Sequence, residues 1–230
     1  MTSPHSNNRK SLYIVGGVLA VVVLGALSFA YFRKDGGGVG GGVGPVASYS
    51  TQVQGVVVVA GKSAGTTIDV YEDLVCPVCG RFESRDGAVL AKAVEDGKVQ
   101  VKYHPVAILN RATTPTGYST RAANAVICAA DAGKFAAYHD KLFVEQPAEQ
   151  SAGLTDEELI AKGTAVGAAG SFAQCVTSGK HSKAVDAATL AAVKDTSLRA
   201  DGKSGFGTPS VLVNGKRVDW TNSEWLTALK

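Results

Sequence analysis

Cys76 and Cys79 flank Pro77 and Val78 in the stretch Val70-Tyr71-Glu72-Asp73-Leu74-Val75-Cys76-Pro77-Val78-Cys79. Two thiols at that spacing can close a small disulfide ring and exchange it with another thiol. The flanking residues decide how reactive each one is. Thr67-Ile68-Asp69-Val70-Tyr71 is β-branched and aromatic, which predicts a strand. Pro77 suits the first turn of a helix, where its missing N–H is not needed. Cys76 then sits where unpaired backbone N–H groups and the positive end of the helix dipole converge. A thiolate there is stabilised, and its pKa falls below the free value of about 8.5. Cys79 lies one turn deeper, placed to attack a mixed disulfide at Cys76. Glu72 and Asp73 come just before. A carboxylate near a thiolate raises its pKa and can take the proton from Cys79. The plainer reading of either acid is a solvated loop residue or a cap for the helix N-terminus.

The surrounding pattern predicts the elements that hold this stretch. Val53 to Ala60 reads as a first strand, and Lys62-Ser63-Ala64-Gly65 turns into the strand before the cysteines. The helix from Cys76 runs to Glu95, weakened at Gly87, and Asp96-Gly97 ends it. Val99 to His104 alternates as a further strand, closed by Pro105. From Thr116 the texture becomes alanine-rich. Ser119 is placed to cap a helix through Ala132, and Phe135 to Glu145 carries Phe135, Tyr138, Leu142 and Phe143 at helical spacing. Thr155 and Glu158 form a capping box. A short helix near Ser171–Thr177 and a longer one over Ser182–Arg199 follow. Strand returns at Val211–Val213, Asn214-Gly215 is a hairpin turn, Arg217-Val218 begins the return strand, and Ser223 to Leu229 is a last helix. The expected order is β-β-α-β, helices, β-β-α.

Ahead of this, Leu12 to Phe32 is an apolar run bounded by Arg9-Lys10 and Arg33-Lys34. At about 20 residues it is long enough to cross a bilayer. It exceeds the usual signal-peptide core and reads as a single anchor, the rival being a leader cleaved at Ser28-Phe29-Ala30. Residues 1–11 then form a cytoplasmic N-terminus, 12–32 the anchor and 33–50 a flexible Gly-rich linker. The net charge of +3 is accounted for by Arg9, Lys10, Arg33 and Lys34 against Asp35. The rest is close to neutral, which argues against nucleic acid.

Two motifs stand in order: Cys76-Pro77-Val78-Cys79 between strand and helix, and Gly207-Thr208-Pro209-Ser210-Val211 before a strand and an Asn-Gly hairpin. With helices inserted between, this resembles the DsbA-like thiol–disulfide oxidoreductases of the thioredoxin superfamily. The anchor and the Ala-rich insertion are most similar to the membrane-tethered members of actinobacteria, including mycobacteria. The resemblance implies an α/β thioredoxin fold over 51–112 and 202–230, with an all-helical insertion over 113–201. It implies that Pro209 is cis, that its loop lies against the Cys76 sulfur, and that Thr208 influences the exchanging sulfurs. It implies an extracytoplasmic enzyme with no cofactor, acting on reduced exported proteins and reoxidised by a quinone-coupled membrane partner of VKOR type. The best-known oxidants carry Pro-His between the cysteines. Here Pro77-Val78 stands instead, so one source of thiolate stabilisation is missing.

With Cys76 and Cys79 as a local pair, Cys128 and Cys175 remain, and the resemblance also points to a structural disulfide between them; the alternative is two buried free thiols. No metal is expected, because there is one close cysteine pair and His104, His139 and His181 are scattered singly. Thr51 to Val70 is too short for an added dimerisation domain, which favours a monomer. The competing functional readings are a reductase or isomerase of the same fold, and a non-catalytic binding module whose Cys76–Cys79 bond is structural.

Overall fold

The computed structural model describes residues 49–200, 205–227 and 229. The expected anchor over 12–32, the cytoplasmic N-terminus and nearly all of the 33–50 linker lie outside the described residues. A six-stranded mixed sheet has the order β1-β2-β4-β3-β5-β6. Its central strand, β3 (Thr66–Glu72), leads to the cysteines. Ile68, Val70 and Glu72 are buried on one face of it, as a period of two requires. β4 (Val99–Pro105) pairs parallel to β3 along seven residues, from Thr66 opposite Val99 to Glu72 opposite Pro105. β5 (Ser210–Val213) pairs antiparallel on the other side of β3 and brings residues from far downstream beside the cysteines.

The single first strand over Val53–Ala60 is a correction. The run folds back on itself as β1 (Thr51–Gln54) and β2 (Val57–Ala60), with Gln54 opposite Val57. Gly55 has φ +66°, so the chain reverses where only glycine does so without strain. The uniform valine run concealed the turn. Asn214 and Gly215 have φ of 49° and 75°, the two positive values that a type I′ hairpin needs. That hairpin joins β5 to β6 (Lys216–Arg217).

The parallel β3–β4 pair is linked by helix, as parallel strands require. α1 (Pro77–Phe82) passes through a π-helical turn over Glu83–Gly87 into α2 (Ala88–Glu95), so the expected long helix is interrupted by a widened turn. Between β4 and β5 lie α3 (Tyr118–Asp131), α4 (Phe135–Val144), α5 (Asp156–Ala165), α6 (Phe172–Thr177) and α7 (Ser182–Lys194). A short α8 (Glu224–Thr227) follows β6.

Two caps differ from expectation. α3 begins at Gly117, φ +106°, and not at Ser119, because Ser119 is fully buried within a helix covered on almost every side. The helix expected to reach Arg199 stops at Lys194, where Asp195 leaves helical geometry and its carboxylate accepts from Ser197 N at 2.8 Å. The Thr155–Glu158 capping box forms reciprocally at the start of α5.

Cys128 of α3 and Cys175 of α6 are disulfide-bonded across a sequence separation of 47. Closing a loop of that length stabilises by about 4 kcal/mol in the chain-entropy account. Replacing both cysteines with alanine is expected to remove most of that, read as a lower urea midpoint with a steeper slope, because the released unfolded chain exposes more surface. An unchanged midpoint would mean that the bridge does not constrain the unfolded chain.

Candidate active site

β3 ends at Glu72, and Asp73-Leu74-Val75 carries the chain to Cys76 at the mouth of α1. Cys76 is the N-cap residue, with extended φ −71° and ψ 115°, and Pro77 occupies the first helical position. No side chain caps the helix. The N–H groups of Val78 and Cys79 are left to face the Cys76 sulfur. Cys76 and Cys79 are both free thiols and both buried, Cys76 at 5% exposure and Cys79 at 0%.

The two thiols are pushed in opposite directions. Cys76 is lowered to about 6, chiefly because the Cys79 thiol donates to its sulfur. Burial opposes this, while the Thr208 hydroxyl and the Cys79 and Val78 N–H groups reinforce it. Cys79 is raised well above the ordinary thiol value, first by burial and then by its bond to Cys76 and the charge beside it. One proton is therefore held between two sulfurs and belongs to the deeper one.

Thr208 and Pro209 come to the same place from the other end of the sheet. The Thr208–Pro209 peptide is cis, and the Thr208 carbonyl lies 3.5 Å from Cys76 Sγ. The Thr208 hydroxyl is buried with no hydrogen-bond partner among the described residues. Pro77 and Val78 turn outward. They line a cavity of about 880 Å3 whose walls include Arg81, Phe143, Gln146 and Trp220.

Asp73 and Glu72 are buried at 0% exposure, so the solvated-loop reading of either fails. Asp73 Oδ1 accepts from Val75 N at 3.1 Å and Oδ2 from Leu109 N at 2.9 Å. Burial raises its pKa to about 6 despite these bonds, with the Cys76 charge adding to the rise. Glu72 Oε1 is hydrogen-bonded to His139 Nε2 of α4, and Oε2 has no partner among the described residues. Glu83, half-buried on the π-helical turn, completes a group with them, its ligand atoms within 4.8 Å of theirs. Burial, then the Glu72 charge, pushes the Glu83 carboxyl up. His139 is pulled down by burial, but Glu72 and Glu83 more than offset this, so its pKa is raised and it carries a proton at neutral pH.

The scattered-histidine reading missed this group. Glu83 stood four residues after Cys79, one turn along the same helix face, and that spacing was the available signal. Nothing in the sequence marked His139, which arrives from the insertion. By distance the three side chains could hold a small cation, yet two of them already satisfy each other as an ion pair. Cys128, Cys175 and His181 also lie together, but the sulfurs are disulfide-bonded and are not thiolate ligands.

A central strand ending in Cys-x-x-Cys at a helix N-terminus, faced by a Thr-cis-Pro loop, defines a dithiol protein of thioredoxin fold. The thioredoxin family model matches residues 53–230. A solved structure of oxidised DsbA from Mycobacterium tuberculosis is 31% identical with a TM-score of 0.63, over 79% of this chain and 90% of that one. Reduced DsbG from the same organism is 35% identical with a TM-score of 0.61, over 71% of this chain and 75% of that one. The serine/threonine-protein kinase PknE of Mycobacterium tuberculosis is 32% identical over 184 residues, 75% of this chain but only 31% of the kinase. The chain thus spans about a third of the curated relative it matches. It belongs to the thioredoxin family, among the relatives of the DsbA-type thiol–disulfide oxidoreductases.

Two measurements follow from the titrations. Iodoacetamide should alkylate Cys76 of the reduced protein with a half-maximal rate near pH 6, while Cys79 stays unmodified across the neutral range. A midpoint near 8.5 would remove the stabilised thiolate. Asp73 holds its proton more tightly folded than unfolded, so it costs the fold stability as pH rises from about 3.8 to about 6. Asp73→Asn is expected to abolish that slope, read from unfolding midpoints across the window. A variant whose midpoints track those of the wild type throughout would refute it.

Proposed function

We propose that this protein is an extracytoplasmic oxidant that introduces disulfides into exported proteins. The observation that carries the reading is the pair of opposed thiols: Cys76 ionised at neutral pH and Cys79 protonated, next to the Thr208–Pro209 loop. An oxidant is strong when its reduced form is stabilised, and a settled Cys76 thiolate stabilises that form. A substrate thiolate attacks Cys76 Sγ of the Cys76–Cys79 disulfide and expels Cys79 as thiolate, which takes up a proton. A second substrate thiolate then attacks the substrate sulfur of the mixed disulfide and releases Cys76 as thiolate. The substrate loses two electrons and the enzyme leaves as dithiol. Asp73, half-ionised near pH 6, is a candidate to pass the Cys79 proton, and Glu72 acts behind it through its charge.

In this reading residues 12–32 anchor the chain with its N-terminus in the cytoplasm, and 33–50 tether a monomeric catalytic domain. That domain comprises 51–112 and 202–230 around the 113–201 insertion. Reoxidation falls to a quinone-coupled membrane partner of VKOR type. The deciding measurement is the potential of the Cys76/Cys79 pair, equilibrated in glutathione buffers and counted by mass after alkylation. A value above about −200 mV is expected. One near about −270 mV would make the protein a reductase. A pair that no buffer moves would leave the non-catalytic binding module.

A further inference from the structure

Gln146, two residues beyond α4, reaches from the insertion to the loop that carries the nucleophile. Its Nε2 donates to the Leu74 carbonyl at 3.1 Å and to the Cys76 carbonyl at 3.0 Å. A side-chain amide has two N–H donors, so both are committed here. The Leu74 carbonyl lies between β3 and α1, beyond the reach of either element's own ladder. The Cys76 carbonyl opens α1 and also accepts from Gly80 N at 3.1 Å. Glu145, the preceding residue, is paired with Lys141 of α4 and Lys162 of α5.

Gly80 is the matching half of the contact. A Cβ there would lie 2.8 Å from Gln146 Oε1, closer than side chains approach. Glycine inside a helix costs about 0.5–1 kcal/mol relative to alanine. No positive φ demands it at this position, and the amide lying on its Cα accounts for it.

The two carbonyls belong to the residues that aim the sulfur. Turning the Cys76–Pro77 peptide would swing Sγ away from the Val78 and Cys79 N–H groups and from Thr208. It would also leave two negative carbonyl ends unopposed beside a thiolate. We propose that Gln146 is a positioning residue for Cys76: its amide, seated on Gly80, clamps the Leu74 and Cys76 carbonyls and makes the insertion part of the nucleophile's support. This rests on the exchange reading above.

The test uses the full chain in detergent as wild type, Gln146→Leu, Gln146→Glu, Gly80→Ala and the Gly80→Ala/Gln146→Leu double variant. The readouts are the rate of oxidation of a reduced dithiol peptide against pH, and Cys76 ionisation from thiolate absorbance. Gln146→Leu keeps the size and loses the donors. It is expected to exchange about tenfold more slowly, with Cys76 titrating at higher pH. Gln146→Glu is expected to be slower still at neutral pH. Its ratio to wild type should recover as pH falls, because a protonated carboxyl can donate once. Gly80→Ala favours helix, so it carries the test if the Gln146 variants fold poorly. It should reproduce the Gln146→Leu defect, and the double variant should be no slower than either single one. Wild-type rate and titration in Gln146→Leu would overturn the proposal, as would equal slowing at every pH with Cys76 ionisation unmoved. A wild type that does not exchange at all fails before any substitution is made, and that outcome overturns the exchange reading itself.

Discussion

One proton shared between two sulfurs sets the terms for the rest of the structure. Cys76 can be a thiolate only if something donates to it, and its main donor is the Cys79 thiol. That requires Cys79 to be the worse acid, which burial at 0% exposure ensures. It also requires α1 to start at Cys76 with no side chain capping it, since a cap would take the N–H groups the sulfur uses. Pro77 gives up an N–H that the helix start would leave orphaned anyway. A histidine between the cysteines is thus one way among several to settle the thiolate, and this chain settles it with Val78 in that place.

The acids behind the pair follow from the same constraint. A carboxylate beside Cys76 opposes the thiolate; burial and the Cys76 charge push the Asp73 carboxyl up to about 6, and the Val75 and Leu109 N–H groups hold it in place. Glu72 is deeper, and an unpaired buried charge there would cost several kcal/mol. His139 supplies the opposite charge, and the Glu83 carboxyl beside it is pushed up by burial and the Glu72 charge. The three groups come from β3, α4 and the π-helical turn. The balance therefore depends on the insertion being docked on the sheet.

The parts that were legible in the sequence rest on local rules. Asn214-Gly215 predicted its hairpin because two positive φ values allow few residue types. Thr155 and Glu158 predicted their cap because both bonds fall within one turn. The strand into Cys76 followed from β-branched composition and Pro77. What failed was set by tertiary context. Ser119 looked like a cap until α3 proved buried on almost every side, so that an interior hydroxyl replaced a surface one. The Val53–Ala60 run hid its turn because its five valines favour extension. Glu72 looked like a solvated acid because its counter-ion lies 67 residues away.

The Gly87 signal shows how a correct observation can carry the wrong cause. Read locally, a glycine inside a helix is a weak point. In the structure the backbone there is helical, and the widened π-helical turn ends at this residue. A Cβ on Gly87 would meet Glu83 Oε2 at 2.6 Å, so the glycine leaves room for the Glu83 carboxylate to fold back over the turn. Gly80 is the same case about two turns earlier, where the guest is Gln146. Both glycines lower the intrinsic helix preference of the segment that begins at Cys76. Both admit a polar side chain that an alanine would exclude, one behind the cysteines and one beside them. Helix stability in this segment is therefore subordinate to the placement of hydrogen-bonding groups around the two sulfurs.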